Sequence, residues 1–164
     1  MAKQLTRWFN QHEFPELYYR FPNLVTFQWF GNRILFHRSW LIRKTVKNTL
    51  RQFRTNLSYL DAGCGVGDFM IPFARKYPDG HFEGLDKSPG NIRLLENYCT
   101  KKHLSHVKLV TGDIQELRSS NRFSVVLIAS VFHLLTDRYR VYKILNDNMI
   151  SGDRLIIYVP VNHR

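Results

Sequence analysis

The sequence predicts an α/β fold built on a mostly parallel, doubly wound sheet, and three observations carry that expectation. From Leu57 onward, short apolar runs alternate with stretches in helical spacing, the order that gives parallel strands joined by helices. The run Phe123-Ser-Val-Val-Leu-Ile-Ala129 is almost wholly apolar, as suits a strand covered on both faces. Gly63, Gly65 and Gly67 cluster where the first strand gives way to the first helix behind it. Glycines there let the backbone turn tightly and approach a ligand closely.

The elements follow in order. Residues 33–54 contain neither Pro nor Gly, and Leu35, Ile42, Val46, Leu50 and Phe53 recur at helical spacing. Arg38, Lys44, Lys47, Arg51 and Arg54 fall on other faces, which makes this a basic amphipathic helix. Leu57–Asp61 reads as the first strand. Phe69–Tyr77 has helical spacing with Pro72 near its first turn, and Pro78-Asp-Gly80 ends it. His81–Asp86 is the second strand. Ser88-Pro89 has the form of an N-cap and first helical position, opening a helix through Ile92, Leu95 and Tyr98 towards Cys99. Val107–Val110 is the third strand and runs into Thr111-Gly-Asp113. After the fourth strand, Tyr139–Met149 is helical, Ser151-Gly-Asp153 turns, and Arg154–Val159 is the fifth strand. Residues 1–56 thus read as a basic helical extension and residues 57–164 as the α/β domain.

Composition narrows the class. The 164 residues are 44% apolar and 23% charged, the make-up of a globular domain that buries roughly 70% of its unfolded surface. With 3 Trp, 8 Tyr and 12 Phe, the chain is too rich in aromatics for a disordered tail. No apolar run approaches the ~20 residues of a membrane span, and Met1–Arg7 opens no signal-peptide core. Two cysteines imply no disulfide framework, so a reducing, cytoplasmic setting is the expectation. Charge is uneven: residues 1–57 hold 10 of the 24 Lys and Arg but 2 of the 13 Asp and Glu, together with 12 aromatics. The two parts should therefore have different tasks.

The chemistry concentrates at Asp61-Ala-Gly63-Cys64-Gly65-Val-Gly67. Asp86 closes the second strand 19 positions after Gly67, where a parallel sheet sets it beside the glycine loop and its carboxylate can accept ribose hydroxyls. Asp113 follows the third strand and could accept from an exocyclic amino group. Ligands of open α/β sheets bind at these carboxyl ends. A phosphate-binding P-loop would need Gly-Lys-Ser/Thr, which is absent, and the dinucleotide fingerprint spaces its glycines G-x-G-x-x-G rather than G-x-G-x-G. Asp61 is awkward beside a pyrophosphate but suits a ligand with a cationic amino acid end, a sulfonium amino acid rather than NAD.

On these residues the sequence resembles the class I S-adenosylmethionine-dependent methyltransferases, over about Leu57 to Val159. The resemblance implies a Rossmann-like sheet, S-adenosyl-L-methionine as cofactor and methyl transfer as the reaction. It also implies that Asp61, Gly63, Cys64, Gly65 and Gly67 surround the methionine portion, and that Asp86, with Lys87 beside it, holds the ribose. Gly112, Asp113 and Ile114 would bracket the adenine, and Ala129 and Ser130 would line the methionine side. Val131-Phe-His133-Leu-Leu-Thr-Asp137 resembles the Leu-His-His-Leu-x-Asp stretch of members acting on small molecules, so the expected acceptor is small. His133 is the candidate base for a hydroxyl or acidic-carbon acceptor, beside the plainer role of orienting its loop. The histidines show no metal-ligand spacing. The alternatives are an RNA methyltransferase and a non-catalytic S-adenosylmethionine-binding or interaction module; an Asn-Pro-Pro-Tyr motif, which would point to DNA amino-methylation, is absent.

Class I domains usually continue into a further helix and an antiparallel hairpin, whereas this sequence ends at Pro160-Val-Asn-His-Arg164. The fifth strand is then expected to be an apolar edge, paired in a homodimer or covered by the N-terminal segment. Trp29, Phe30, Phe36 and Trp40 beside Arg33, Arg38 and Arg43 suit an interfacial helix over residues 29–54, peripheral to an anionic membrane surface, and hence a lipophilic acceptor. The same composition stacks nucleobases, so RNA is the less favoured partner.

Overall fold

The computed structural model describes residues 37–53, 55–117 and 122–159. Trp29, Phe30, Arg33, Leu35, Phe36 and Arg54 lie outside them. The chain divides into two compact units, residues 1–40 and 41–164, and the second holds the sheet.

Helix α1 (His37–Leu50) is followed by β1 (Ser58–Ala62), α2 (Met70–Ala74), β2 (His81–Asp86), α3 (Pro89–Lys101) and β3 (Val107–Thr111). Then come a 3₁₀ turn (Ile114–Glu116), β4 (Val125–Ala129), a second 3₁₀ turn (Phe132–Leu134), α4 (Arg138–Asp147) and β5 (Arg154–Tyr158). The five strands form one sheet in the order β3-β2-β1-β4-β5, and every pairing is parallel. The expected fold class is the observed one. After β3 the chain returns to the other side of β1, so the strand order reverses between β1 and β4, the place where such sheets open a crevice.

Alternating side chains split the core between the two faces of the sheet. Tyr59, Phe82, Val125 and Leu127 pack with Ile42, Val46 and Leu50 of α1, Met70 and Phe73 of α2, and Ile92, Leu95 and Cys99 of α3. Leu60, Ala62, Leu85, Val126 and Ile128 pack on the other face with Val141 and Leu145 of α4. All five residues of β4 are buried. The apolar stripe of α1 is thus spent on the core, while Leu41, Lys44, Lys47 and Arg51 are exposed.

Local chemistry sets the boundaries. On the β1 side Ser124 pairs through its side chain: its Oγ accepts from Ser58 N–H at 2.9 Å and donates to Ser58 O at 2.9 Å, while its carbonyl accepts from Arg154 N–H of β5. The helix expected over Phe69–Tyr77 is regular only to Ala74, beyond which Lys76 and Tyr77 both donate to Phe73 O in a closing turn. Ser88 caps α3 by accepting from Asn91 N–H, with Pro89 at the first helical position.

Candidate functional site

The glycine loop leaves β1 on the carboxyl side of the sheet. The N–H groups of Gly63 and Cys64 both donate to Leu85 O, at 2.7 and 3.0 Å, which ties the loop to the end of β2. Gly63, Gly65 and Gly67 all have positive φ, at 84, 54 and 82°. Their surroundings differ. A Cβ on Gly67 would lie 2.5 Å from Leu95 Cδ2 and 2.7 Å from Ile71 Cγ1, and one on Gly63 would clash with Val131 Cγ2. Nothing lies within 4 Å of the Cβ position at Gly65. Two glycines let helices and strand ends close on the loop, whereas the third presents bare backbone to open space.

Asp86 stands beside that space. Its Oδ2 accepts from Gly65 N–H at 2.8 Å, and its Oδ1 accepts from Ser88 N–H at 2.9 Å and Asn91 Nδ2 at 3.2 Å. Lys87 next to it is exposed. Asn91, which sequence reasoning missed, is part of this site; its position three residues after the cap Ser88 was the available signal.

At the neighbouring strand end, Gly112 N–H donates to Asp86 O at 3.0 Å, and Ile114 is buried. The Asp113 carboxylate accepts from Gln115 N–H at 2.8 Å and caps the 3₁₀ turn. Gln115 Oε1 in turn accepts from Thr136 Oγ1 and Asp137 N–H, at 2.7 and 3.0 Å. The segments after β3 and β4 are therefore tied together across the mouth of the crevice.

Beyond β4, Ala129 is buried, and Ser130 takes φ 61° with its N–H donating to Tyr158 O. A non-glycine residue in this region is strained, and such residues cluster at functional sites. His133 is exposed; its carbonyl accepts from Arg138 Nη2 at 3.2 Å, which fixes the backbone and leaves the imidazole facing solvent.

Two side chains from the loop region turn inward. Cys64 is buried in the core, where Gly84 makes room for its Sγ and for Met70 Cε. Burial pushes its thiol pKa up, so it is neutral and poorly nucleophilic. Asp61 is 1% exposed and its Oδ2 has no hydrogen-bond partner. Desolvation, with Asp86 and Asp68 adding repulsion, pushes its pKa up to about 8.

No group of three His, Cys, Asp or Glu among the described residues is arranged to hold a metal ion. A cavity of about 600 Å³ lies between the end of α3 and β3, lined by Cys99, His103, Leu104 and Val107 among others. Its lining gathers around the amino end of β3, the opposite end of the sheet from the glycine loop.

A family model described as a methyltransferase domain matches residues 53–164. The chain belongs to this family. Among its curated relatives, demethylmenaquinone methyltransferase of Listeria monocytogenes serotype 4a (strain HCC23) is 32% identical over 116 residues, 65% of this chain and 48% of that protein. Trans-aconitate 2-methyltransferase of Deinococcus radiodurans is 29% identical over 104 residues, 63% of this chain and 38% of that protein. The chain spans less than half the length of these methyltransferases. The crystal structure of coclaurine N-methyltransferase bound to N-methylheliamine and SAH shares the fold, with a TM-score of 0.64 at 17% identity over 71% of this chain and 34% of that one. No helix among the described residues is long and apolar enough to cross a membrane.

Proposed function

We propose that residues 57–164 bind S-adenosyl-L-methionine at the crevice between β1 and β4 and transfer its methyl group to a small, lipophilic acceptor, with residues 1–56 as a basic extension. One observation carries the reading: open, Cβ-free backbone at Gly65 joined directly to the Asp86 carboxylate. The residues present fit the cofactor. Asp86 has a remaining lone pair for a ribose hydroxyl, Gly112–Ile114 flank the adenine side, Ser130 lines the methionine side, and buried Asp61 answers a cationic amino group. The similar proteins support the same donor, since the coclaurine N-methyltransferase structure holds SAH together with N-methylheliamine, and they support a small acceptor through their names.

When bound, S-adenosyl-L-methionine supplies a methyl carbon on a sulfonium, which an acceptor lone pair takes in line as the carbon–sulfur bond breaks and leaves a thioether. This chain's part is to position the two reactants, the main contribution available to such a displacement. Gly63 and Gly67 hold the loop by close packing, and Gln115 fixes the segment bearing Thr136 and Asp137 against the adenine side. His133 stands after β4, where it can take the proton of a hydroxyl acceptor. The exposed cations of α1 face an anionic surface, and β5 pairs with a second copy.

Calorimetric titration with S-adenosylhomocysteine, the demethylated cofactor, tests the reading. Saturable heat with that ligand and none with NADH is the expected result. No heat with S-adenosylhomocysteine and clear binding of NADH overturns it.

A further inference from the structure

Among the described residues, no cation answers the buried carboxyl group of Asp61. On its own strand it has Tyr59, whose buried hydroxyl also has no hydrogen-bond partner. The glycine loop brings Cys64 and Asp68, and the end of β2 brings Asp86. From α1, Arg43 reaches the ring of Phe69, 5.6 Å from its centroid. No Lys, Arg or His among the described residues forms an ion pair with Asp61, whereas Glu83, the other buried carboxylate, is met by Lys108 Nζ at 3.0 Å. A carboxylate that is 1% exposed, with an oxygen facing no donor, is costly in its charged form. Burial without a donor or a cation thus favours the neutral acid in the free protein.

We propose that Asp61, buried with one oxygen unpartnered, loses its proton when a ligand with a cationic amino acid end arrives, so that binding at this position is coupled to ionisation. The inference rests on the cofactor reading above and adds to it a coupling between recognition and ionisation. The balance is simple. The ligand's ammonium group enters already charged, the O–H bond of the Asp61 carboxyl breaks, its proton passes to solvent, and the carboxylate left behind pairs with the ammonium. A cation beside a carboxylate lowers its pKa, so the ion pair that forms holds the site in the ionised state. A ligand with the same adenosine but no amino group gives Asp61 no reason to ionise. Discrimination thus comes from a buried group whose partner only the correct ligand provides, the arrangement in which rejection of an analogue is strongest.

The proton should also show in the stability of the free protein. A carboxyl group whose pKa is raised on folding binds a proton in the folded chain and not in the unfolded one between its two pKa values, so stability falls as pH rises through that interval. The thermal midpoint of the free protein should fall between about pH 5 and about pH 8. Asp61→Asn, which matches the neutral acid in shape, should fold and show a flatter profile.

The decisive experiment is calorimetric titration at about pH 7 in buffers of different ionisation enthalpy, using S-adenosylhomocysteine and 5′-methylthioadenosine, which lacks the amino acid end. The wild type should release about one proton per S-adenosylhomocysteine bound and none with 5′-methylthioadenosine. Asp61→Asn should bind S-adenosylhomocysteine about 10- to 100-fold more weakly, with no proton released. Binding of S-adenosylhomocysteine by the wild type without proton release, or equal release with both ligands, overturns the proposal while the cofactor reading stands. Absence of S-adenosylhomocysteine binding overturns the cofactor reading, and the proposal with it.

Discussion

The carboxylate of Asp86 accepts the backbone N–H of Gly65 at 2.8 Å across the gap between the end of β2 and the glycine loop. A carboxylate has about four acceptor positions, and Gly65, Ser88 and Asn91 take three of them. Asp86 is therefore held in place before any ligand arrives, and it shapes the loop as well as offering an acceptor to it.

Replacing Asp86 should consequently affect both binding and the loop. We expect Asp86→Ala to weaken S-adenosylhomocysteine binding by about 1.5–3 kcal/mol, the range for hydrogen bonds to a charged group, and to lower the thermal midpoint. Asn91→Ala removes one of the three internal donors and leaves the carboxylate, so its effect on affinity should be smaller. Calorimetric titration of the two variants checks the order. An affinity unchanged in Asp86→Ala would remove Asp86 from the site.

The glycines divide by what surrounds them. Alanine at Gly67 meets Leu95 and Ile71 within 2.7 Å at a φ of 82°, so overpacking of about 1–3 kcal/mol adds to backbone strain of about 1–2 kcal/mol. Alanine at Gly65 meets nothing within 4 Å and should cost the strain alone. Gly65→Ala should instead reduce ligand affinity, because its methyl group fills the space left bare beside Asp86. Chemical denaturation alongside calorimetry would show the two variants in opposite order for stability and binding. If Gly65→Ala bound S-adenosylhomocysteine as well as wild type, the bare backbone would have no role in recognition.

The fold was legible because several strand ends are punctuated: a glycine follows β1, Ser88-Pro89 follows β2, Gly112-Asp113 follows β3, and the fully apolar β4 announces a position inside the sheet. Helix α1 was legible as amphipathic, but the direction of its apolar stripe was not, since Ile42, Val46 and Leu50 read equally well as facing lipid or the sheet. Packing against Tyr59 and Leu127 decides it. Within the site, Asp61 and Asp86 stood out through their places at strand ends. The contacts of Asn91 and Gln115 did not, because each depends on which loop the folded chain brings within reach of a short amide. The strained backbone of Ser130 left no trace in residue type.

β5 provides a separate test. Leu155 and Ile157 pair with Val126 and Ile128 and so share their face of the sheet, yet they are 37% and 41% exposed. Val159 continues the row at 38%. An edge strand with an apolar row invites pairing. We expect the chain to associate in a concentration-dependent way by analytical ultracentrifugation, and Ile157→Lys to shift it towards monomer with little loss of secondary structure. A wild type that sediments as a monomer at all concentrations would refute pairing through this edge.

The basic helix can be tested by the way its residues are already used. Lys44, Lys47 and Arg51 are exposed on α1 and the turn after it, whereas Ile42, Val46 and Leu50 are buried against the sheet. Each cation near an anionic bilayer contributes about 1 kcal/mol, and that contribution falls off within a Debye length. Insertion of an apolar face would add a salt-resistant term, but the apolar stripe of this helix is occupied, and Leu41 is what the second unit exposes beside the cations. The expected behaviour is therefore electrostatic: sedimentation with phosphatidylserine vesicles at low salt, loss of most binding near physiological ionic strength, and loss of binding at low salt in the double variant Lys47→Glu, Arg51→Glu. Neutral phosphatidylcholine vesicles should not bind. Binding that persists at physiological salt would show that apolar residues outside this helix face enter the bilayer, and absence of binding at low salt would remove the membrane from the list of partners.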